Sequence, residues 1–382
     1  MKSRRNSDIK KLVLVISDLH LGAGKHVKGR RNMLEDFHYD AELIDFLNWH
    51  CEGDFAEKEV DLVINGDFLD FLAVPFVEYF DDEFWSEEAC LEKLRMVMRA
   101  HRGVLHALKN FVSKPNKKIV YIIGNHDAEF VLDSLKEEFR NFFGDELKER
   151  VIIRNDLNVL EPIPGVHILH GHQYERAHEF DPDKSVHETQ EGKKYFIPSW
   201  GSYYVINVIN RYKQERPYIN AVRPIKHFMI HGLLFDTFFI LRFALSNFHY
   251  YFMVRFWYYL MLKVGWRQVV KDLIHELTLF QDYEGLTREF FVQNPEAKVL
   301  IVGHTHNPTL RLFSDGTIFI NTGTWTNMVN LDLAQWNHAQ SLPYARVASY
   351  VDDVNFEKFD EQVEVDLKVW RGTDNSPSKD FN

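Results

Sequence analysis

At 382 residues, 45% of them hydrophobic and 26% charged, the chain is long enough for one large domain or two and has the composition of an ordinary soluble protein. Two cysteines, Cys51 and Cys90, argue against a disulfide scaffold, and the basic start Met1–Arg5 leads into an apolar run too short for a secretory signal, so a cytoplasmic protein is expected. The net charge of −11 is uneven: from Lys193 to Lys271 there are 12 Lys or Arg against only Glu215 and Asp236, a local +10 that leaves −21 on the rest and suggests an anionic partner at that block.

The first apolar run, Val13–Ile16, reads as a strand and delivers Ser17-Asp18-Leu19-His20 at its end. A glycine-containing loop with Lys25 and Arg31 follows, and its place after a strand that bears such residues makes both candidates for substrate contact, a plain polar loop being the alternative. Apolar spacing predicts a helix over Asp40–His50. Val60–Ile64 is the next strand; it breaks at Gly66 and presents Asp67, with Asp70 three residues on as a structural partner or cap. One long helix is expected from Glu87 to Val112, weakened at Gly103. The strand Ile119–Ile123 then runs into Gly124-Asn125-His126-Asp127, and a helix is expected around Phe130–Phe143.

Alternating strand and helix indicates an α/β layer with parallel strands. From Val151 the pattern shifts to shorter strands, among them Val166–Leu169, which ends in His170-Gly171-His172. The strand Val299–Val302 ends in Gly303-His304-Thr305-His306, a hairpin turns at Asp315-Gly316, and strands continue to about Trp370. These are expected to form a second, more antiparallel sheet packed on the first, with residues 372–382 a flexible tail.

Residues 173–294 interrupt the scheme. Within His227–Trp266, 14 of 40 residues are Phe, Tyr or Trp, while Asp236, Arg242, Arg255 and Lys263 break any run long enough to span a membrane. Long, basic and aromatic helices lie on membrane surfaces or cover apolar ligands. A helical insertion whose aromatics form a second small core is the alternative.

The five strand ends together supply Asp18, His20, Asp67, Asn125, His170, His304 and His306. Mixed Asp, Asn and His donors suit Mn²⁺, Fe or Zn²⁺ better than Ca²⁺ or Mg²⁺. Shared through a carboxylate, they are enough for two divalent ions ~3.5–4 Å apart, an arrangement that serves phosphoryl transfer. Asp-Leu-His, Gly-Asp-Phe-Leu-Asp, Gly-Asn-His-Asp, His-Gly-His and Gly-His-Thr-His, spread over residues 18–306, resemble the five signature blocks of the calcineurin-like metallophosphoesterases. The resemblance implies a four-layer α/β/β/α sandwich, here residues 8–172 and 295–371, carrying a large helical, aromatic and basic insertion. It implies that Asp18, His20 and His306 hold one metal, that Asn125, His170 and His304 hold the other, and that Asp67 bridges. It also implies that His126 is the catalytic histidine, oriented by Asp127.

Within that superfamily the layout is similar to the UDP-2,3-diacylglucosamine pyrophosphohydrolases of bacterial lipid A synthesis: the early Ser-Asp-Leu-His-Leu, a His-Gly block, and an aromatic, basic insertion before Gly-His-Thr-His. His126 departs from the Arg that many of those enzymes carry. The likeness implies a lipid-linked phosphoester substrate, an anionic membrane surface as partner and a peripheral place on its inner face; His172, two residues past a candidate ligand, is a further candidate for substrate contact, a locally hydrogen-bonded loop histidine being the alternative. A nuclease or nucleotide phosphodiesterase is the first rival, but it needs a basic track for the backbone, and the −21 remainder argues against one. A membrane-docked scaffold that keeps only the fold is the second, and the full set of seven ligand residues together with His126 argues against it.

Overall fold

The computed structural model of the protein describes residues 5–75, 82–156, 158–175, 177–223, 225–262, 283–330 and 342–372. The tail from 373 onward, read above as flexible, lies outside the described residues.

The first sheet opens with β1 (Lys11–Ile16), β2 (Glu59–Asn65), β3 (Lys117–Ile122) and β4 (Val151–Arg154), all parallel. β5 (Leu160–Ile163), β6 (Val166–Ile168), β7 (Val299–Val302), β8 (Thr309–Leu312) and β9 (Ile318–Asn321) form the second, in the order β8-β9-β7-β6-β5. In it β7 is parallel to both β6 and β9, and β5 and β8 are antiparallel edges. The last two strands, β10 (Pro343–Ser349) and β11 (Val363–Val369), were expected in the second sheet. They join the first instead, β10 pairing antiparallel with β1 to give the order β11-β10-β1-β2-β3-β4. A Val/Ala-rich strand buried along its whole length matches either sheet by pattern, and only tertiary pairing decides between them.

Because the central strands are apolar on both sides, each sheet face can be covered. Val13, Val15 and Val63 from the first sheet meet Ile168, Val299, Ile301 and Ile320 from the second in an apolar interface. Leu12, Leu14 and Ile16, on the opposite face of β1, pack with residues of α1 (Asp40–Trp49), α2 (Glu87–Ala100), α3 (Arg102–Ser113) and α4 (Asp133–Asn141). The single helix expected over 87–112 is thus two. It breaks at His101 (φ −107°, ψ 34°), whose buried ring bonds Asp40 at 2.7 Å, and Gly103 lies just past the break.

The insertion is helical and well anchored. A run over 200–213 contains a π turn, Val205–Ile209, and ties to the core where Asn210 Nδ2 donates to Leu72 O (2.7 Å) and Lys213 Nζ to Leu34 O (2.9 Å). The helices α5 (Ile225–Phe235) and α6 (Thr237–Leu262) follow. Val208, Tyr212, Ile219, Phe239, Ile240 and Phe243 make a small second core there. The stretch just before 294, read above as part of the insertion, packs on the second sheet. Helix α7 (Tyr283–Gln293) places Phe290 on Leu169, Leu300 and Phe319 and forms the fourth layer. Among the described residues no helix is long and apolar enough to cross a membrane.

Candidate metal centre

Parallel strands point their C-terminal ends the same way, so β1, β2, β3, β6 and β7 bring their loops to one edge of the sandwich. Backbone bonds stitch the loops together: Asp18 N to Gly66 O (3.1 Å), His20 N to Asp67 O (2.9 Å) and Gly303 N to His170 O (2.8 Å). Asp18, His20, Asp67, His304 and His306 all take left-handed backbone, φ 50–70°. Only Lys28 and Asn116 share that region among the described non-glycine residues. Each such turn costs on the order of 1 kcal/mol, and strain of this kind gathers where a side chain must be aimed.

Before three of the ligand loops a glycine is a steric requirement. A Cβ at Gly66 would land on the His170 ring, at Gly124 on the Asp67 carboxylate, and at Gly303 on Asp18 and Ser17.

Three groups of ligand atoms lie mutually within 4.8 Å among the described residues: Asp18/His20/His306, Asp67/His170/His304 and, between these two, His20/Asp67/His126. Asp67 Oδ2 stands 3.4 Å from His170 Nε2 and 4.0 Å from His20 Nε2, so it faces both of the first two groups. His306 Nε2 lies 3.4 Å from Asp18 Oδ1 and 3.1 Å from His20 Nε2. His170 Nδ1 donates to Asn65 O at 2.7 Å, which fixes the ring and turns Nε2 toward Asp67.

A cation suits these donors. His170 Nε2 and Asn125 Oδ1 are buried and lack hydrogen bonds, a costly state that a metal would relieve. Charge points the same way. Burial disfavours a charged His170, yet Asp67 outweighs it and raises the ring to about 9. Burial likewise opposes ionisation of Asp67, but His170 and His126 hold its carboxyl well below the usual range. The pocket prefers positive charge.

The sequence model of the calcineurin-like phosphoesterase family matches residues 11–308. The chain belongs to the calcineurin-like phosphoesterases. Similar solved structures include a predicted phosphoesterase from Streptococcus pneumoniae, at 10% identity over 94% of this chain and 90% of that one, with a TM-score of 0.29. Vacuolar protein sorting 29 from Cryptosporidium parvum is similar at 13% identity, over 94% and 98% of the two chains, with a TM-score of 0.30. A single mutant of Vps29 from Entamoeba histolytica gives 12% identity, the same coverage and 0.27. No curated protein matches the chain.

In this calcineurin-like phosphoesterase the histidine between the two ligand groups has a different partner from the one expected. Asp127 does not orient His126. It is fully buried and accepts from Phe68 N (2.9 Å), Tyr121 OH (2.6 Å) and Gly124 N (2.5 Å), so it braces the two ligand loops. Asp70 takes the orienting place, with Oδ1 3.0 Å from His126 Nδ1 and Oδ2 3.3 Å from His20 Nδ1, while also capping Ala73 N. Burial disfavours charge on His126, but Asp70 and Asp67 raise it to about 10.

The expected substrate contacts fare unevenly. Lys25 and Arg31 are exposed on the loop that carries the His26–Val27/Arg30–Arg31 hairpin and touch no candidate ligand. His172 is 2% exposed and stacks on Phe180 at 4.9 Å, with both ring nitrogens unbonded, its ring 5.4 Å from that of His170.

Glu175 and His178 went unnoticed in the sequence. Glu175 Oε2 lies 2.6 Å from His304 Nε2, and Asn125 Nδ2 lies 3.3 Å from His178 Nδ1. No periodicity marks them, because they reach the site through left-handed Gly171 (φ 112°) and the 3₁₀ turn His172–Tyr174.

Proposed function

We propose that the protein is a two-metal hydrolase of a phosphodiester or pyrophosphate bond in an amphipathic, UDP-diacylglucosamine-like substrate, working at an anionic membrane surface. Asp18, His20 and His306 would hold one cation and Asn125, His170 and His304 the other, with Asp67 between them and Mn²⁺ the best match to that donor set. Bound there, the pair supplies Lewis-acid polarisation of the phosphoryl group and an acidified water. The chain's own residues do the rest. Asp70 engages His126 Nδ1, which leaves Nε2 to hold a proton toward the leaving oxygen, and the raised basicity of the ring keeps that proton in place at neutral pH.

The observation that carries the membrane half is the outer face of the insertion. Leu234, Phe238, Leu241, Leu245, Phe248 and Phe252 recur at spacings of three and four residues and are 56–77% exposed. Phe235, at 87%, extends the stripe. α6 therefore does both things weighed above: one side builds the small core and the other offers an apolar strip to something outside. The basic contribution is narrower than composition implied. Arg242 pairs with Glu215 and Arg216 with Asp236, so the block's two acids neutralise two of its cations. Arg255, Lys263 and Arg267 lie outside the residues whose side chains are described.

Co-sedimentation with phosphatidylglycerol vesicles tests this reading. Wild type should pellet, and Phe238→Ser/Phe248→Ser should stay in the supernatant with its activity on a soluble diester unchanged. Each lost phenylalanine forgoes about 1.5–3 kcal/mol of burial, so partitioning should weaken by about two to four orders of magnitude. Parallel assays of the Mn²⁺-loaded protein on a UDP-linked glycolipid, a soluble nucleotide diester and single-stranded DNA identify the substrate class. Wild type left in the supernatant, with equal turnover of acylated and non-acylated substrates, would overturn the lipid half and favour a soluble diester.

A further inference from the structure

The limb that opens the insertion, residues 173–178, does more than lead into it. Glu175 Oε2 sits 2.6 Å from His304 Nε2. That bond occupies the outer nitrogen of the ring and leaves Nδ1 as the one available to a cation beside Asp67 and His170. Glu175 Oε1 is 3.9 Å from His178 Nε2, on the same 3₁₀-led turn. His178 Nδ1 in turn accepts from Asn125 Nδ2 at 3.3 Å. With its NH₂ group held this way, Asn125 has Oδ1 as its remaining polar atom, and that atom is buried without a hydrogen bond.

We infer, resting on the two-metal reading above, that Glu175 and His178 are positioning residues for the second cation alone: Glu175 sets the tautomer of His304, and His178 sets the amide of Asn125. The other group meets this arrangement through the His304 backbone N–H and not through the ring that Glu175 holds. Within that group, His20 is held by Asp70, and Asp18 accepts from Ser17 and from His304 N–H. The limb is also held from the insertion side. Gly201 N donates to Ala177 O at 2.9 Å, and a Cβ on Gly201 would collide with the His178 ring. Whatever displaces the insertion's first helical run therefore disturbs one metal site and spares the other.

Metal titration of the full chain tests this. With Mn²⁺ as the probe, Glu175→Ala should weaken one of two binding steps by about 10–100-fold, the usual effect of removing a carboxylate behind a ligating histidine, and leave the other step unchanged. Glu175→Gln keeps an acceptor for Nε2–H and should lose less. His178→Phe, which preserves ring volume, should weaken the same step. At limiting Mn²⁺ the electron paramagnetic resonance spectrum of Glu175→Ala should lose the exchange-coupled pair signal in favour of isolated Mn²⁺. Melting of the metal-free proteins separates a structural role: the variants should match wild type. Equal weakening of both steps, or metal-free variants that melt well below wild type, overturns the inference. If wild type binds two Mn²⁺ and Glu175→Ala does so equally well, the inference fails and the two-metal reading stands. If wild type binds no pair, both fail.

Discussion

Asp67→Ala should leave the protein without its metal pair and lower hydrolysis by roughly 10³-fold or more, the several kcal/mol that bound cations contribute. Asp67 faces both ligand groups, with Oδ2 3.4 Å from His170 Nε2 and 4.0 Å from His20 Nε2. Its other oxygen accepts from His126 N–H at 2.8 Å, so the same substitution also loosens the loop that carries Asn125 and His126. His20→Ala removes a ligand from one group only and should empty mainly that site. Metal analysis of the dialysed proteins distinguishes them: two ions per chain in Asp67→Ala would remove Asp67 from the bridging role.

The gathering of Asp, Asn and His side chains at the strand ends could be read in advance because strand period and residue type sit side by side in the chain. An apolar run fixes where a parallel strand stops, and the polar residues after it must then lie at the common edge. That logic placed Asp18, Asp67, Asn125, His170 and His304 without any contact information. It could not place β10 and β11, whose buried faces suit either sheet. The resemblance put Asp127 rather than Asp70 behind His126. Asp127 follows His126 directly in sequence, but three donors from the surrounding loops capture its carboxylate, whereas Asp70 arrives through the fold. Glu175 was illegible for a related reason, since a left-handed glycine and a 3₁₀ turn carry no periodic signal. The exposed stripe on α6 was half legible: the aromatic content showed, but which aromatics face outward depends on what the inner side packs against.

His126→Asn should keep both metals and lose ~10²–10⁴ in kcat if the ring supplies a proton to the leaving oxygen. Geometry supports that division of labour: the ring makes a T-shaped contact with His20 at 4.5 Å, and its Nδ1 is bonded to Asp70. A third grouping, His20/Asp67/His126, also brings ligand atoms within 4.8 Å, so metal content must be measured alongside rate. A missing ion in His126→Asn would make the residue a ligand. With metals retained, the leaving group decides the rest. A p-nitrophenyl ester, which leaves without a proton, should lose far less than an alkyl ester, and equal losses on the two would replace proton donation with charge stabilisation. Asp70→Asn should show a milder form of the same pattern, since an amide oxygen still accepts from Nδ1–H.

The acidic surroundings that raise His170 to about 9 have a consequence for how the centre fills. A histidine must be neutral to hold a cation. Loading the site near neutrality is therefore a neutralisation run in reverse, in which incoming metal displaces ring protons into the solvent. The heat of titration should change with the ionisation enthalpy of the buffer, and affinity should climb as pH rises toward the histidine's own value. An assay at low pH would then report how much of the protein is loaded, and only at higher pH how fast the loaded protein turns over.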